Sequence, residues 1–242
     1  LHRLKEVYGD HIRIEYRMGG TFQHLDEWMK EYGVDETSTV EWIRDSSEMH
    51  HMPLDPSYIL RTTSTYPACL AFKAAELQAP AKAERYLRRM MEAFMLEGGT
   101  ATPQDLGALA GQVGLDGARI QRDMKSKKVQ DAFAADRKEM AQSGANFLSL
   151  LIQSNGKREV KGEVFTSAPY EEIIDRFAPG LPKRIPTDIL EYMERHRRTL
   201  IPAREIAEVF RISTSNAAAR LRNLAEAGLL NAISKVRASF FS

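Results

Sequence analysis

Phe147-Leu148-Ser149-Leu150-Leu151-Ile152 is a short, almost unbroken apolar run that reads as a buried strand. Ser154-Asn155-Gly156-Lys157 follows it as a turn. Asn-Gly supplies the two positive-φ positions of a tight two-residue hairpin, so residues 158–165 are expected to return as a second strand. Thr166-Ser167-Ala168-Pro169-Tyr170-Glu171-Glu172 then opens a helix. Ser167 is expected to cap it, and Glu171 and Glu172 in its first turn suit the positive end of the helix dipole. The whole is a β-hairpin closed by a helix.

Working outward, residues 1–8 read as a helix stopped by Gly9. Residues 11–18 alternate Ile12, Ile14, Tyr16 and Met18 with charged residues, which predicts a half-buried strand. Gly19-Gly20 breaks it, and a helical pattern then runs to about residue 144. Its pieces are residues 25–32 and 40–47, a helix opened by Pro67 and another by Pro80. Next come a start at Thr102-Pro103 and a long helix over about 126–143. Past the stiff linker Pro179-Gly180-Leu181-Pro182 the pattern changes. Helices are expected over 186–196, 203–210 and 214–227, with a turn at Ile212-Ser213 and a short hairpin over 232–241. That order is a winged-helix layout.

A length of 242 residues fits one large domain or a domain with an appendix, and 43% hydrophobic residues suffice for a core. No apolar run approaches the ~20 residues that span a bilayer, so no membrane role is expected. The single cysteine, Cys69, excludes an internal disulfide and a cysteine-rich metal site, in keeping with a reducing, cytoplasmic setting. The net charge is +1, but from Lys183 onward eleven Lys/Arg face six Asp/Glu, a net of +5, which leaves −4 for the rest. A basic tail on an acidic body points to nucleic acid or an acidic partner as candidates for the tail.

The run Ser64-Thr65-Tyr66-Pro67-Ala68-Cys69-Leu70-Ala71-Phe72-Lys73-Ala74-Ala75-Glu76-Leu77-Gln78, together with Tyr86-Leu87-Arg88-Arg89-Met90 and Tyr170-Glu171-Glu172-Ile173-Ile174, resembles the DsbA-like thioredoxin-fold family. The group concerned holds FrnE-type dithiol-disulfide isomerases and, with the strongest resemblance, the SpxH (YjbH) adaptors of the ClpXP protease. The resemblance implies an α/β, thioredoxin-like core over 1–20 and 144–180, interrupted by an all-helical insertion over 21–143. A winged-helix-like domain over 183–242 completes it. It also implies a first strand and helix before Leu1, carrying any Cys-x-x-Cys of the redox-active relatives. Those relatives place a cis-proline where this chain has Leu148, and a non-proline cis bond costs ~3–4 kcal/mol, so Leu148 is expected trans. Loss of efficient dithiol chemistry, with the scaffold kept for binding, is the expected consequence.

Three functions follow as expectations. The first is an adaptor that binds an Spx-type regulator and promotes its degradation by ClpXP, with Phe147, Leu148 and Ser149 at the partner-binding strand entry. The second is a thiol-disulfide oxidoreductase with cysteines upstream of Leu1. The third is a DNA-binding regulator in which Ser215, Asn216, Arg220 and Asn223 face the major groove while Lys235 and Arg237 meet phosphates. Within this chain no catalytic residue, metal ligand or cofactor site is expected. Cys69 reads as a small buried hydrophobe with no base beside it in sequence, although a position near a helix N-terminus lowers a thiol pKa. His50-His51 lacks the spacing of a metal site. Gly19-Gly20 and Gly98-Gly99 lack a phosphate-loop pattern. Trp28, Trp42, Phe72 and Phe94 are expected in the core or lining a groove.

Overall fold

The computed structural model describes residues 1–146, 149–162, 166–197, 199–235 and 238–242. They fall into two compact units, Leu1–Tyr16 with His50–Met52 and Ala141–Ser242, and Arg17–Met49 with Pro53–Met140.

In the first unit, helix α1 (His2–Tyr8) ends at Gly9, whose φ of 52° is open to glycine at little cost. Strands β1 (Leu150–Ser154) and β2 (Lys157–Lys161) pair antiparallel from Leu150↔Lys161 to Ser154↔Lys157. The turn between them has Asn155 at φ 50° and Gly156 at φ 76°, the left-handed pair that a two-residue hairpin demands. Helix α9 (Ala168–Phe177) closes the motif. Leu4, Val7 and Tyr8 recur on one face of α1, and Tyr170 and Ile174 on one face of α9. These five are buried, and half-buried Leu150 and Ile152 of β1 pack against them from alternate positions. Each large apolar side chain removed from water in this way contributes about 1.5–3 kcal/mol.

The rest of this unit carries helix α10 (Ile189–Arg195), strand β3 (Ile201–Pro202), helices α11 (Ala203–Phe210) and α12 (Thr214–Glu226), and strands β4 (Ala232–Lys235) and β5 (Ala238–Phe241). The strands form an antiparallel sheet in the order β3-β5-β4. Tyr192, Met193, Ile206, Val209, Leu221 and Phe241 belong to one buried cluster. The turn between α11 and α12 is made by Arg211 at φ 53° and by Ser213, whose hydroxyl accepts the Asn216 N–H at 3.2 Å as an N-cap.

The second unit is helical. It holds α2 (Leu25–Tyr32), α3 (Glu36–Met49), α4 (Tyr66–Gln78), α5 (Pro80–Leu96), α6 (Pro103–Gln112), α7 (Gly117–Asp123) and α8 (Lys127–Ser143). Prolines open α4, α5 and α6, where a missing N–H costs nothing. The Thr102 hydroxyl caps α6 by accepting the Asp105 N–H at 3.2 Å. Ala71, Phe72, Ala74 and Ala75 are fully buried, so α4 is the thin central rod against which α5, α6 and α7 approach closely. A Cβ on Gly117 would sit 2.1 Å from the Gly107 carbonyl oxygen, which fixes glycine at the α6–α7 contact.

Several expectations are corrected. Among the described residues, 12–18 lie in no strand. Alternation gives a strand only where a neighbour accepts its ladder, and here the Met18 N–H goes to the Asp136 carboxylate at 2.9 Å. Helix α10 starts at Ile189 rather than 186, because the Asp188 carboxylate caps the N–H groups of Leu190 and Glu191. Ser167 does not cap α9 with its side chain. Its hydroxyl instead donates to the Glu171 carboxylate at 2.8 Å. Trp42 is not in the core: Thr39 and Ile43 set the buried face of α3, and Trp42 lies one position off it, exposed.

Candidate functional site

Of the strand-entry site, Phe147 and Leu148 lie outside the described residues. The Ser149 N–H donates to the Asn146 carbonyl at 3.3 Å, and its hydroxyl oxygen accepts the Asn146 N–H at 3.2 Å. The same hydroxyl donates to the Asn146 side-chain carbonyl. A Cβ on Gly162 would meet the Ser149 oxygen at 2.7 Å, so glycine lets the chain leaving β2 pass the chain entering β1. Ser149 is thus a brace of the entry loop, with its hydroxyl already engaged.

The α12 residues are brought together. Ser215, Asn216, Arg220 and Asn223 are all exposed. The Arg220 Nε–H donates to the Asn216 side-chain carbonyl at 2.8 Å, and the Ser215 and Ser213 hydroxyls are 3.0 Å apart. Asn216 and Arg220 are therefore engaged with each other and Ser215 with the cap. Lys235 sits half-buried on β4, and Arg237 lies outside the described residues. Ala217 is buried and anchors the helix that presents this face.

Bonds between residues far apart in sequence tie α1, α9, α10 and α11 together. The Glu171 carboxylate on α9 receives the Arg3 guanidinium of α1 at 2.8 Å and the Arg211 guanidinium at 3.0 Å. Arg3 also donates to the Val209 carbonyl on α11. The Glu208 carboxylate accepts the Ser167 N–H at 2.6 Å, and Arg195 grips Glu6 with two bonds of 2.9 and 2.7 Å. Burial pushes the Glu171 carboxyl up, but bonds from Ser167, Arg3 and Arg211 outweigh it and hold the carboxyl below its ordinary value. These contacts join residues up to 206 positions apart, and no local spacing announces them.

Cys69 is half-buried on α4. Burial is the main influence, with the Asp136 charge adding to it. Together they push the thiol up to about 11 against the opposing Gly20 hydrogen bond and the Arg137 charge. The helix-end effect does not prevail. At pH 8 iodoacetamide is expected to alkylate Cys69 about a hundredfold more slowly in the native chain than in urea, as read by mass spectrometry; equal rates would overturn this assignment. No cluster of metal-ligating side chains occurs among the described residues, His50 and His51 included. No helix among them is long and apolar enough to cross a membrane.

A model of the thioredoxin family matches residues 1–174. The ClpXP adapter protein SpxH of Halalkalibacterium halodurans is 27% identical over 233 residues, covering 93% of this chain and 76% of that protein. SpxH of Bacillus subtilis is 29% identical over 168 residues, covering 67% of this chain and 56% of that protein. The crystal structure of a candidate protein disulfide isomerase from Nitrosomonas europaea aligns with a TM-score of 0.42 at 20% identity, over 47% of this chain and 59% of that one. The matched span runs through α1, the β1–β2 hairpin and the first seven residues of α9, the elements that share the core around Leu4, Leu150 and Tyr170. On that match the chain belongs to the thioredoxin family.

Proposed function

We propose that this protein is an adaptor that binds an Spx-type regulator and delivers it to ClpXP in the cytoplasm. One observation carries the reading. The thioredoxin match ends at residue 174, whereas the likeness to the SpxH adapter of Halalkalibacterium halodurans extends over 93% of the chain. The helices and sheet beyond α9 therefore belong to the part of the chain that thioredoxin likeness leaves unexplained and adapter likeness covers. The mechanism is tethering: client and protease held on one scaffold meet at an effective concentration that raises avidity by about 10²–10⁴ without new contacts between them.

The proposal divides the chain into a core (1–20 and 144–180), a helical insertion (21–143) and a winged-helix-like domain (183–242). It places the client at the strand entry of Phe147, Leu148 and Ser149. The test uses the full-length protein with an Spx-type regulator, ClpXP and ATP, following client loss against a control without adaptor. At client concentrations below saturation the rate is expected to rise about tenfold or more. An unchanged rate would overturn the proposal and direct the next assay to insulin-disulfide reduction. The exposed face of α12 favours one further reading, duplex DNA binding. It requires affinity that falls steeply with salt and is lost in Arg220→Ala.

A further inference from the structure

Helices α2 and α3 carry a surface that the adaptor reading does not use. Three large side chains stand in solvent there: Tyr32 is 63% exposed, Trp42 66% and Met49 72%. On α3, Trp42, Asp45 and Met49 follow each other at i, i+3 and i+7, one continuous stripe along the helix. It runs beside the face on which Thr39 and Ile43 are buried, Ile43 in one cluster with Phe22 and Leu25. On α2, Tyr32 stacks on half-buried Trp28 at 5.1 Å between ring centroids, and Trp28 lies 5.8 Å from Phe22. The exposed tyrosine is thus seated on a packed aromatic column rather than swinging free. Exposed, supported aromatics with a neighbouring Met are the side chains that anchor protein partners.

Charge says which partner. Over residues 25–49 there are eight carboxylates (Asp26, Glu27, Glu31, Asp35, Glu36, Glu41, Asp45, Glu48) and two cations (Lys30, Arg44), a net of −6. All ten are exposed. None of the ten is in an ion pair among the described residues, whereas elsewhere ion pairs are common. The net charge of these helices is thus offset by no ion pair among the described residues. The Asp35 carboxylate accepts the Ser38 N–H at 2.8 Å and the Ser38 hydroxyl at 2.7 Å, which hold its pKa below the ordinary value. Part of the chain's own basic region is already engaged. Lys183, Arg184, Arg195, Arg204 and Arg211 are already paired with Asp175, Glu191, Glu6, Glu208 and Glu171. A tail-to-insertion contact between copies would also be heterologous and would run on into open filaments unless its rotation closed a ring.

We infer that the exposed stripe of α3 is a docking surface for a Lys/Arg-rich segment of a partner protein, with Trp42 and Met49 taking its apolar side chains and aliphatic stems and the α3 carboxylates Glu41, Asp45 and Glu48 its cations. Guanidinium and ammonium groups satisfy both halves of the surface at once, since they pair with carboxylates and stack on aromatic faces. The inference is independent of the adaptor proposal, which places its client at the strand entry.

The chain has two tryptophans: Trp42 stands exposed on this stripe, and Trp28 is half-buried on α2 against the cluster that also holds Ile43. Intrinsic fluorescence therefore reads it directly. The probe is a synthetic peptide of alternating Lys/Arg and Leu, with a second peptide in which every Lys/Arg is replaced by Glu as control. The basic peptide is expected to shift tryptophan emission to the blue in a saturable way, and the acidic one is not. Raising NaCl from about 0.05 to 0.5 M is expected to weaken binding about tenfold or more. A fluorescein-labelled basic peptide, followed by anisotropy, then compares variants whose far-UV circular dichroism matches wild type. Glu41→Lys/Asp45→Lys/Glu48→Lys and Trp42→Ala/Met49→Ala are each expected to lose about tenfold in affinity. Binding within about twofold of wild type in both variants, or equal binding of the acidic peptide, would overturn the inference. So would a concentration-dependent dimer, seen by sedimentation and abolished in Trp42→Ala/Met49→Ala, since a second copy would then be the occupant.

Discussion

Glu171→Ala is expected to destabilise the folded chain by about 3–5 kcal/mol, because it removes one partner of a buried ion pair and strands the other. The Glu171 and Arg3 side chains are 9% and 10% exposed and meet at 2.8 Å. Without the carboxylate, Arg3 keeps only the Val209 carbonyl, Arg211 loses its partner, and the Ser167 hydroxyl loses its acceptor. Three elements, α1, α9 and α11, are cross-linked through this one group. The loss should therefore appear as a cooperative fall in the urea midpoint rather than as local fraying. Glu171→Gln keeps the shape and one acceptor and should cost less, about 1–3 kcal/mol. The pH dependence fixes the assignment. The folded carboxyl is held below its ordinary value, so its contribution is present in full above the unfolded value of about 4.3. That contribution is lost as pH falls through the lower folded value. Equilibrium unfolding at pH 7 and below pH 4 should show wild type losing stability that Glu171→Gln does not lose in the same window. A loss under about 1 kcal/mol for Glu171→Ala at pH 7 would sink the argument.

The sequence and the structure agree where the determinants are local. Asn155-Gly156 demanded a left-handed turn, and the two residues adopt it at φ 50° and 76°. Pro67, Pro80 and Pro103 each open a helix, and Gly9 closes one. The hairpin, its closing helix and the helical stretches were legible for the same reason, each carrying its own local pattern; the thioredoxin-like core was implied by the family resemblance. What escaped depends on partners distant in sequence. Strand β3 has two residues, one of them proline, and exists because Phe240 and Phe241 pair with it. That length holds no pattern. The alternation of residues 11–18 promised a strand, but a strand needs a neighbour, and the backbone of Met18 found a carboxylate 118 positions away. Ser167 had the right residue type and place for a cap, yet the buried Glu171 captured its hydroxyl. Trp42, at helical spacing with other apolar residues, was expected in the core or lining a groove, and its angular offset from Thr39 and Ile43 puts it in solvent. Ser215, Asn216 and Arg220 come together on α12 because they lie within two turns of one helix. The long-range ion pairs around Glu171 follow no such local pattern.

The same logic governs the helical unit, where Lys73→Met is expected to cost about 3–5 kcal/mol. Lys73 on α4 and Asp136 on α8 are both buried and meet at 3.0 Å, and Lys73 also contacts the Glu76 carboxylate. Methionine matches the volume of lysine, so packing is kept and only the charge is removed. Asp136 then retains the Met18 N–H and an Arg17 guanidinium 3.7 Å away, too little for a carboxylate shut off from water. Burial lowers the Lys73 ammonium, but its bonds to Glu76 and Asp136 outweigh this and raise it above its ordinary value. Its contribution is thus complete below the unfolded value near 10.4 and is lost only as pH rises through the still higher folded one. No pH change between 6 and 9 should mimic the mutation. The decisive measurement is a double-mutant cycle. Lys73→Met/Asp136→Leu removes both charges and leaves an apolar pair, at the cost of one acceptor for the Met18 N–H, about 1–3 kcal/mol. The double variant should be more stable than Lys73→Met alone, because replacing a whole buried pair costs far less than orphaning half of it. If the two substitutions instead add, the charges are not coupled, and the pair contributes to the α4–α8 contact only through its packing.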